Sequence, residues 1–279
     1  MYLRVSWFAA SLLCGAVTVS SPGTAPAGDL KEHTLDAFQS YAALTERRVL
    51  GQAKATGPFL YLDHLPAMQR DRALADLRRG ELFMERLETT GDDGRSIEIK
   101  DGLVHHWLGA VFVPGVGVDE TLELIQDYDR HAEIYAPAVD DARIIERRGD
   151  DFRIFMRFRK KKIITVVVDT IHEVTYVHVA ADRVYSISRT ISVREVKDAG
   201  GASEIALPDG EGTGFLWRIN SYWRFLERDG GTYIESESIS LTRTIPFMVR
   251  WLVAPFVNDM PRAQLTHLLQ TTRQALTNG

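Results

Sequence analysis

His105 and His106, followed by Trp107, are the first residues whose types could do chemistry, and Asp127, Asp129 and His131 follow in the next predicted helix. Imidazoles beside carboxylates suggest a metal centre. Adjacent residues on a strand point to opposite faces, however, so the two histidines do not easily share one ion. The chain has a single cysteine, Cys14, and no His-x-x-x-His pair, so neither a metal nor a cofactor is expected. His64, His172, His178 and His267 are scattered and read as ordinary surface or partly buried residues. Neither a Gly-x-Ser-x-Gly elbow nor a phosphate or dinucleotide loop is present. Glu235 and Glu237 form a carboxylate pair, but that spacing is equally what a solvated strand face shows. Acid–base catalysis is unsupported rather than excluded.

A second kind of chemistry is recognition of an apolar molecule. Phe215, Trp217, Ile219, Ser221, Trp223 and Phe225 share one face of a strand, and Arg218, Asn220, Tyr222 and Arg224 share the other. If Asp229-Gly230 is a two-residue turn, Arg224 faces Glu235 and Tyr222 faces Glu237, while Ile234, Ser236 and Ser238 join the aromatic row. Cross-strand Arg–Glu pairs suit a solvated convex surface, which assigns the Trp and Ser row to the concave side. The aromatics could equally be packing against a helix. Phe152, Ile154, Met156 and Phe158 likewise alternate against Arg153, Arg157 and Arg159. Arg189 shares a parity with Tyr185, Ile187, Ile191 and Val193, and an arginine buried in such a row must be paired. It can bind an internal carboxylate, present its fork to a ligand, or face water through a register shift.

The elements that would position these groups follow from pattern. Residues 30 to 90 read as helical, in two pieces punctuated at Gly57-Pro58 and Leu65-Pro66, the second from Pro66 to Leu87. From Ser96 the texture turns to strands: Ser96–Lys100, then Leu103–Val113 after the Asp101-Gly102 turn signal. Asp119-Glu120 opens a helix, with Asp119 as its expected cap. Strand candidates then run Ala142–Arg147, Phe152–Arg159, Ile163–Val179, Val184–Val196, Gly214–Glu227 and Thr232–Thr244. A helix of about four turns starts at Pro261, with Leu265, Leu268, Leu269 and Leu276 down one side. Meander order implies antiparallel pairing, and one amphipathic helix must cover one face of the sheet.

At this point the sequence resembles the START-like (SRPBCC, helix-grip) superfamily that includes polyketide cyclases and coenzyme-Q-binding proteins. The resemblance covers roughly residues 95 to 279. It rests on the element order, on Gly214-Phe215-Leu216-Trp217-Arg218-Ile219-Asn220-Ser221-Tyr222-Trp223-Arg224 running into Gly231-Thr232-Tyr233-Ile234-Glu235-Ser236-Glu237, on Ser240-Leu241, and on the last helix. It implies an α+β helix-grip fold: a curved antiparallel sheet of about six to seven strands wrapped around a long C-terminal helix, here with an N-terminal helical extension. The expected division is 1–27 signal peptide, 28–94 helical extension and 95–279 ligand-binding domain.

The implied function is binding, and transport, of a hydrophobic or amphipathic small molecule such as a lipid, quinone or polyketide-like aromatic. A cyclase- or hydrolase-type enzyme, or a cell-envelope interaction module, is the alternative; the reading leans away from an enzyme. Expected ligand contacts are Trp107, Ile154, Met156, Phe158, Arg189 and Trp217. Ile219, Trp223, Ile234, Ser238, Trp251 and Phe256 complete the set. The five cations from Arg157 to Lys162, with the apolar Phe247–Phe256 run, could also touch an anionic membrane surface peripherally.

Composition bounds the rest. The chain has 279 residues, 45% of them hydrophobic and 25% charged, which is an ordinary globular balance. A net charge of −5 gives no nucleic-acid footprint, and a monomer is expected. Arg4, the apolar run Val5–Val19 and Ala25-Pro26-Ala27 have the form of a cleaved export signal, so a periplasmic or secreted location is expected. That run, about 15 residues, is shorter than the roughly 20 a spanning helix needs.

Overall fold

A computed structural model describes residues 28–161, 165–244 and 247–278, with 247–259 as backbone only. The expected signal segment and the side chains of Trp251 and Phe256 therefore lie outside the described residues. Two N-terminal helices come first, α1 (Glu32–Gln52) and α2 (Ala67–Arg78), with a short turn of 3-10 helix at Tyr61–His64 between them. Then follow β1 (Phe83–Arg86), β2 (Gly102–Pro114), α3 (Val118–Gln126), α4 (His131–Ile134), β3 (Val139–Arg148) and β4 (Asp151–Lys161). The chain continues through β5 (Thr165–Ala180), β6 (Arg183–Lys197), β7 (Ile205–Ala206), β8 (Arg218–Arg228), β9 (Gly231–Arg243) and α5 (Phe247–Asn278).

Among the described residues the strands form one antiparallel sheet in the order β1-β2-β9-β8-β6-β5-β4-β3, with β7 beside β6. Asp229 and Gly230 both adopt positive φ, 59° and 77°, as a tight hairpin turn requires. That turn sets the expected register: Tyr222 opposite Glu237 and Arg224 opposite Glu235. Between β5 and β6 the register slips. Ile171 pairs with Ser192 and His172 with Thr190, so Ile191 is an extra residue that exchanges the faces of β6.

Helix α5 lies across the inner face and touches both flanks of the sheet. Leu265 and Leu269 pack toward Gly109 of β2, where an added Cβ would stand 2.5 Å from Leu269 Cδ1. Leu268 packs against Tyr135, Val139 and Ala142 at the β3 edge, and Tyr135 Oη lies 3.0 Å from Thr272 Oγ1. This grip on one helix is the architecture the sequence pattern implied. The helix is longer than expected, beginning at Phe247 and carrying Pro255 and Pro261 within it.

The N-terminal segment covers the outer face. Phe38, Tyr41, Ala42 and Val49 of α1 pack on Ile187, Tyr222, Ile239 and Leu241. Phe59, Leu60, Leu62 and Leu77 pack on Ala110, Phe112, Leu226 and Tyr233. The Pro66–Leu87 stretch is not one helix: α2 ends at Arg78, Gly80 reverses the chain at φ 91°, and Phe83–Arg86 joins the sheet beside β2. Ser96–Lys100 forms no strand, making only a bridge from Ser96 to Thr90. Helix α3 starts one residue before the expected cap, and Glu227 Oε2 accepts from its first amide, Val118 N, at 3.0 Å. No described helix is long and apolar enough to cross a membrane.

Candidate ligand-binding face

The inner face changes character along the strands. Toward the Asp229-Gly230 turn it is apolar and sealed: Val111, Val113, Val184, Phe225 and Ile234 meet Val118, Leu122 and Ile125 of α3 and Leu265 and Leu269 of α5. Aromatic rings close the same core from the β4–β5 side. Phe152 lies edge-on to Tyr128 and Tyr176, and Tyr128 Oη is 2.7 Å from Tyr176 Oη. Burial drives both tyrosine pKa values up, so both remain neutral hydroxyls.

Away from that turn the floor is paved with small polar side chains. One continuous cross-strand row reads Trp107, Ser238, Ser221, Ser188, Val174, Phe152. The neighbouring row reads Gly109, Ser236, Trp223, Ser186, Tyr176, and on the other side Ser240 pairs with His105 and with Ile219. Short serines in place of aliphatic side chains lower the floor under the helix. Trp107, Met156, Phe158, Ile219, Ser221, Trp223 and Ser238 are all half-buried, while their strand backbones are fully paired. Trp223 stacks on Phe225 at a centroid distance of 5.9 Å. Among the described residues, Ser236 Oγ is buried with no hydrogen-bond partner.

A hydrogen-bonded chain crosses the β4–β6 part of this floor. Thr170 Oγ1 donates to the Met156 carbonyl at 3.0 Å, His172 Nε2 lies 2.9 Å from Thr170 Oγ1, and Ser188 Oγ lies 3.3 Å from His172 Nδ1. Burial lowers the His172 pKa to about 4, and burial together with the charge of Arg86 does the same to His105. Among the described residues no carboxylate hydrogen-bonds to this serine–histidine pair, which therefore has no third group of a nucleophilic triad there.

The structure brings most of the expected contacts to this face. Trp107, Ile154, Met156, Trp223 and Ile234 belong to the inner cluster, and Ile219 and Ser238 join it by register. Phe158 faces inward at the β3–β4 flank, beside Val139 and Val168. Two residues are elsewhere. Arg189 is on the outer face, paired with Glu46 of α1 (Nε to Oε2, 2.9 Å), because its row keeps to the outside until the bulge at Ile191. Trp217 precedes β8, where strand alternation does not yet apply. After Gly214 at φ 74° its ring is buried with Phe38 and Tyr41 under α1. Trp251 and Phe256 fall in the part of α5 whose side chains are not described. Of the basic run, Arg157 pairs with Asp169 and Glu204, and Arg159 with Asp140. Among the described residues, no group of three or more metal-type ligands converges. A depression of about 550 Å³ lies away from the inner face, between Arg159, Thr165 and Val167 and the Asp198–Ser203 loop.

The hairpin's other face was expected to be solvated and is not. Arg224, Glu235 and Glu237 are almost completely buried beneath the N-terminal segment. Glu235 accepts from Tyr61 N at 2.7 Å, Leu62 N at 3.0 Å and Arg224 Nη1 at 3.3 Å, while Arg224 Nη2 donates to Gln52. Glu237 accepts from His106 Nε2 at 2.8 Å and from Arg48, and His106 Nδ1 is 2.8 Å from Tyr41 Oη, which accepts from Thr89 N. Burial pushes the Glu235 pKa up against the pull of Arg224. For Glu237 burial acts the same way, but the His106 hydrogen bond and the charge of Arg48 outweigh it and hold the pKa below the usual range. His105 and His106 indeed face opposite sides: one meets Thr242 inside, the other Glu237 outside.

No family model and no curated sequence matches the chain. Solved structures with a similar arrangement include a STAR-related lipid transfer protein from Xanthomonas axonopodis, at 14% identity over 69% of this chain and 98% of that one, TM-score 0.44. A Streptomyces aromatase/cyclase is similar at 11% identity over 62% and 94%, TM-score 0.42. Human STARD10 is similar at 9% identity over 75% and 80%, TM-score 0.43. An antiparallel sheet whose two flanks both close on a C-terminal helix is the helix-grip arrangement.

Proposed function

We propose that this protein holds a hydrophobic or amphipathic small molecule between the serine-paved part of its sheet and α5, as a carrier rather than as a catalyst. The observation that supports the reading is the floor itself. A core-facing sheet surface ordinarily carries aliphatic side chains, yet Ser188, Ser221 and Ser238 lie in register on three adjacent strands, flanked by half-buried Trp107, Trp223 and Met156. Apolar walls give affinity at about 25 cal/mol per Å² removed from water, and a few polar groups set orientation. Lipids, quinones and polyketide-like aromatics fit that description.

The test is native mass spectrometry of purified protein before and after solvent extraction, then titration of the stripped protein with an apolar probe, followed by tryptophan emission. Trp107 and Trp223 should respond. Ser221→Trp, which fills the floor, should abolish the response while circular dichroism stays unchanged. A probe that binds Ser221→Trp as tightly as the parent would place the ligand elsewhere and overturn the reading.

A further inference from the structure

The hydroxyls of the inner floor are not equivalent, and their order of donation follows from the end of the chain they form. The Met156 carbonyl can only accept, so the Thr170 hydroxyl proton is committed to it. Thr170 Oγ1 must then accept from His172 Nε2–H. His172 is buried and neutral, which leaves Nδ1 as a bare lone pair that accepts the Ser188 proton. Ser188 Oγ is thereby left with acceptor capacity only. Its in-register neighbour Ser221, about 5 Å away Cβ to Cβ, makes no such commitment and can rotate to donate.

Among the described residues, the strand rows of the floor themselves carry no charged side chain. The rows containing Ser188, Ser221 and Ser238, and the rows on either side, include no Lys, Arg, Asp or Glu between β2 and β5. Among the described strand residues of these rows, the titratable groups are His105, His172 and Tyr176, all held neutral chiefly by burial. Arg86 and Arg262 stand beside Trp107, but both are exposed and hydrated at the rim. A carboxylate pushed down to the serines would lose its water without gaining a counter-ion from the described residues of the floor.

We infer that the buried end of the ligand is an uncharged hydroxyl, donating to Ser188 Oγ and accepting from Ser221, on an otherwise apolar body. This rests on the carrier reading and deepens it. An aliphatic alcohol, an acylglycerol and a hydroxylated ring system share that chemistry.

The experiment compares decanol, its methyl ether and decanoate on the stripped full chain by calorimetry. Decanol should bind about fivefold tighter than the ether, one net hydrogen bond, and tighter than decanoate. Ser188→Ala should remove the preference for alcohol over ether while leaving ether affinity unchanged. Thr170→Val frees His172 to place its proton on Nδ1 and should lower the same ratio without touching the ligand; an unchanged ratio would sink the relay. Equal affinity for alcohol and ether, or decanoate binding tightest, overturns the inference and leaves the carrier reading standing. If none of the three binds, both fail. With the preference established, a monoacylglycerol and a polycyclic alcohol distinguish the two kinds of body.

Discussion

Arg224 and Glu235 face each other across the β8–β9 hairpin on the outside of the sheet, and each is about 1% exposed or less. A strand pair of this kind ordinarily sits in water and contributes little. Here the chain from Gln52 to Leu62 lies over it, and the carboxylate takes two backbone amides of that segment besides the guanidinium. The N-terminal segment is therefore fastened to the sheet by a charge that has no other way to be satisfied.

Glu235→Gln keeps the shape and removes that charge, leaving Arg224 buried without its hydrogen-bonded counter-ion and an amide group facing two N–H donors. The expected loss is about 3–5 kcal/mol, the range for breaking a buried pair at one end. Urea unfolding measures it, and limited proteolysis should find new cleavage between Ala53 and Phe59. A loss under about 1 kcal/mol would show the pair to be hydrated.

Three buried histidines make the protein acid-sensitive. Burial is the first cause of the depressed pKa, about 4, at His105, His131 and His172. In the unfolded chain they titrate near 6.5, so between about 6.5 and 4 the unfolded state binds more protons and stability falls with falling pH. At about pH 5.5 each withholds roughly 1.4 kcal/mol, near 4 kcal/mol for the three together. Urea midpoints at about pH 7.5 and 5.5 should differ accordingly. A pH-independent midpoint across that interval would mean the rings are charged or solvated in the fold.

Tyr41→Phe tests the second half of the outer network. Tyr41 Oη joins His106 Nδ1 and the Thr89 amide, each at 2.8 Å, in a site closed to water. Losing the hydroxyl leaves both unmet, at a cost of about 1–3 kcal/mol. The Thr89 amide should exchange hydrogen faster, which a mere loss of ring packing would not produce.

The sequence makes the strands legible because alternation and turn residues are local. Asp229-Gly230 alone sets the pairing of Arg224 with Glu235. What alternation cannot reveal is which face meets water. An Arg–Glu pair has the same spacing on a solvated surface as under a roof, so alternation separates the hairpin's two faces but does not show that Arg224, Glu235 and Glu237 are buried. The extra residue Ile191 has no sequence signature, and without it Arg189 and Val193 read as neighbours on one face. The Ser188–His172–Thr170 chain spans two strands across that bulge, so neither strand alone discloses it. Trp217 lies one residue before β8, where strand parity no longer tells which face a side chain takes.

Gly109 is where the sheet lets α5 approach. Its backbone would tolerate alanine, and replacing an ordinary glycine that way commonly stabilises by about 0.4–1 kcal/mol through the unfolded state. Here the new Cβ would lie 2.5 Å from Leu269 Cδ1 and 2.7 Å from Met84 Sδ, inside van der Waals contact with two packed side chains. Gly109→Ala should instead destabilise by about 1–3 kcal/mol, as overpacking does. Leu269→Ala alone should cost about 2–5 kcal/mol. Because the first substitution then occupies space the second vacates, the double variant should lose clearly less than the sum. Strict additivity in urea unfolding would mean that the helix does not rest on Gly109, and that the grip is made elsewhere.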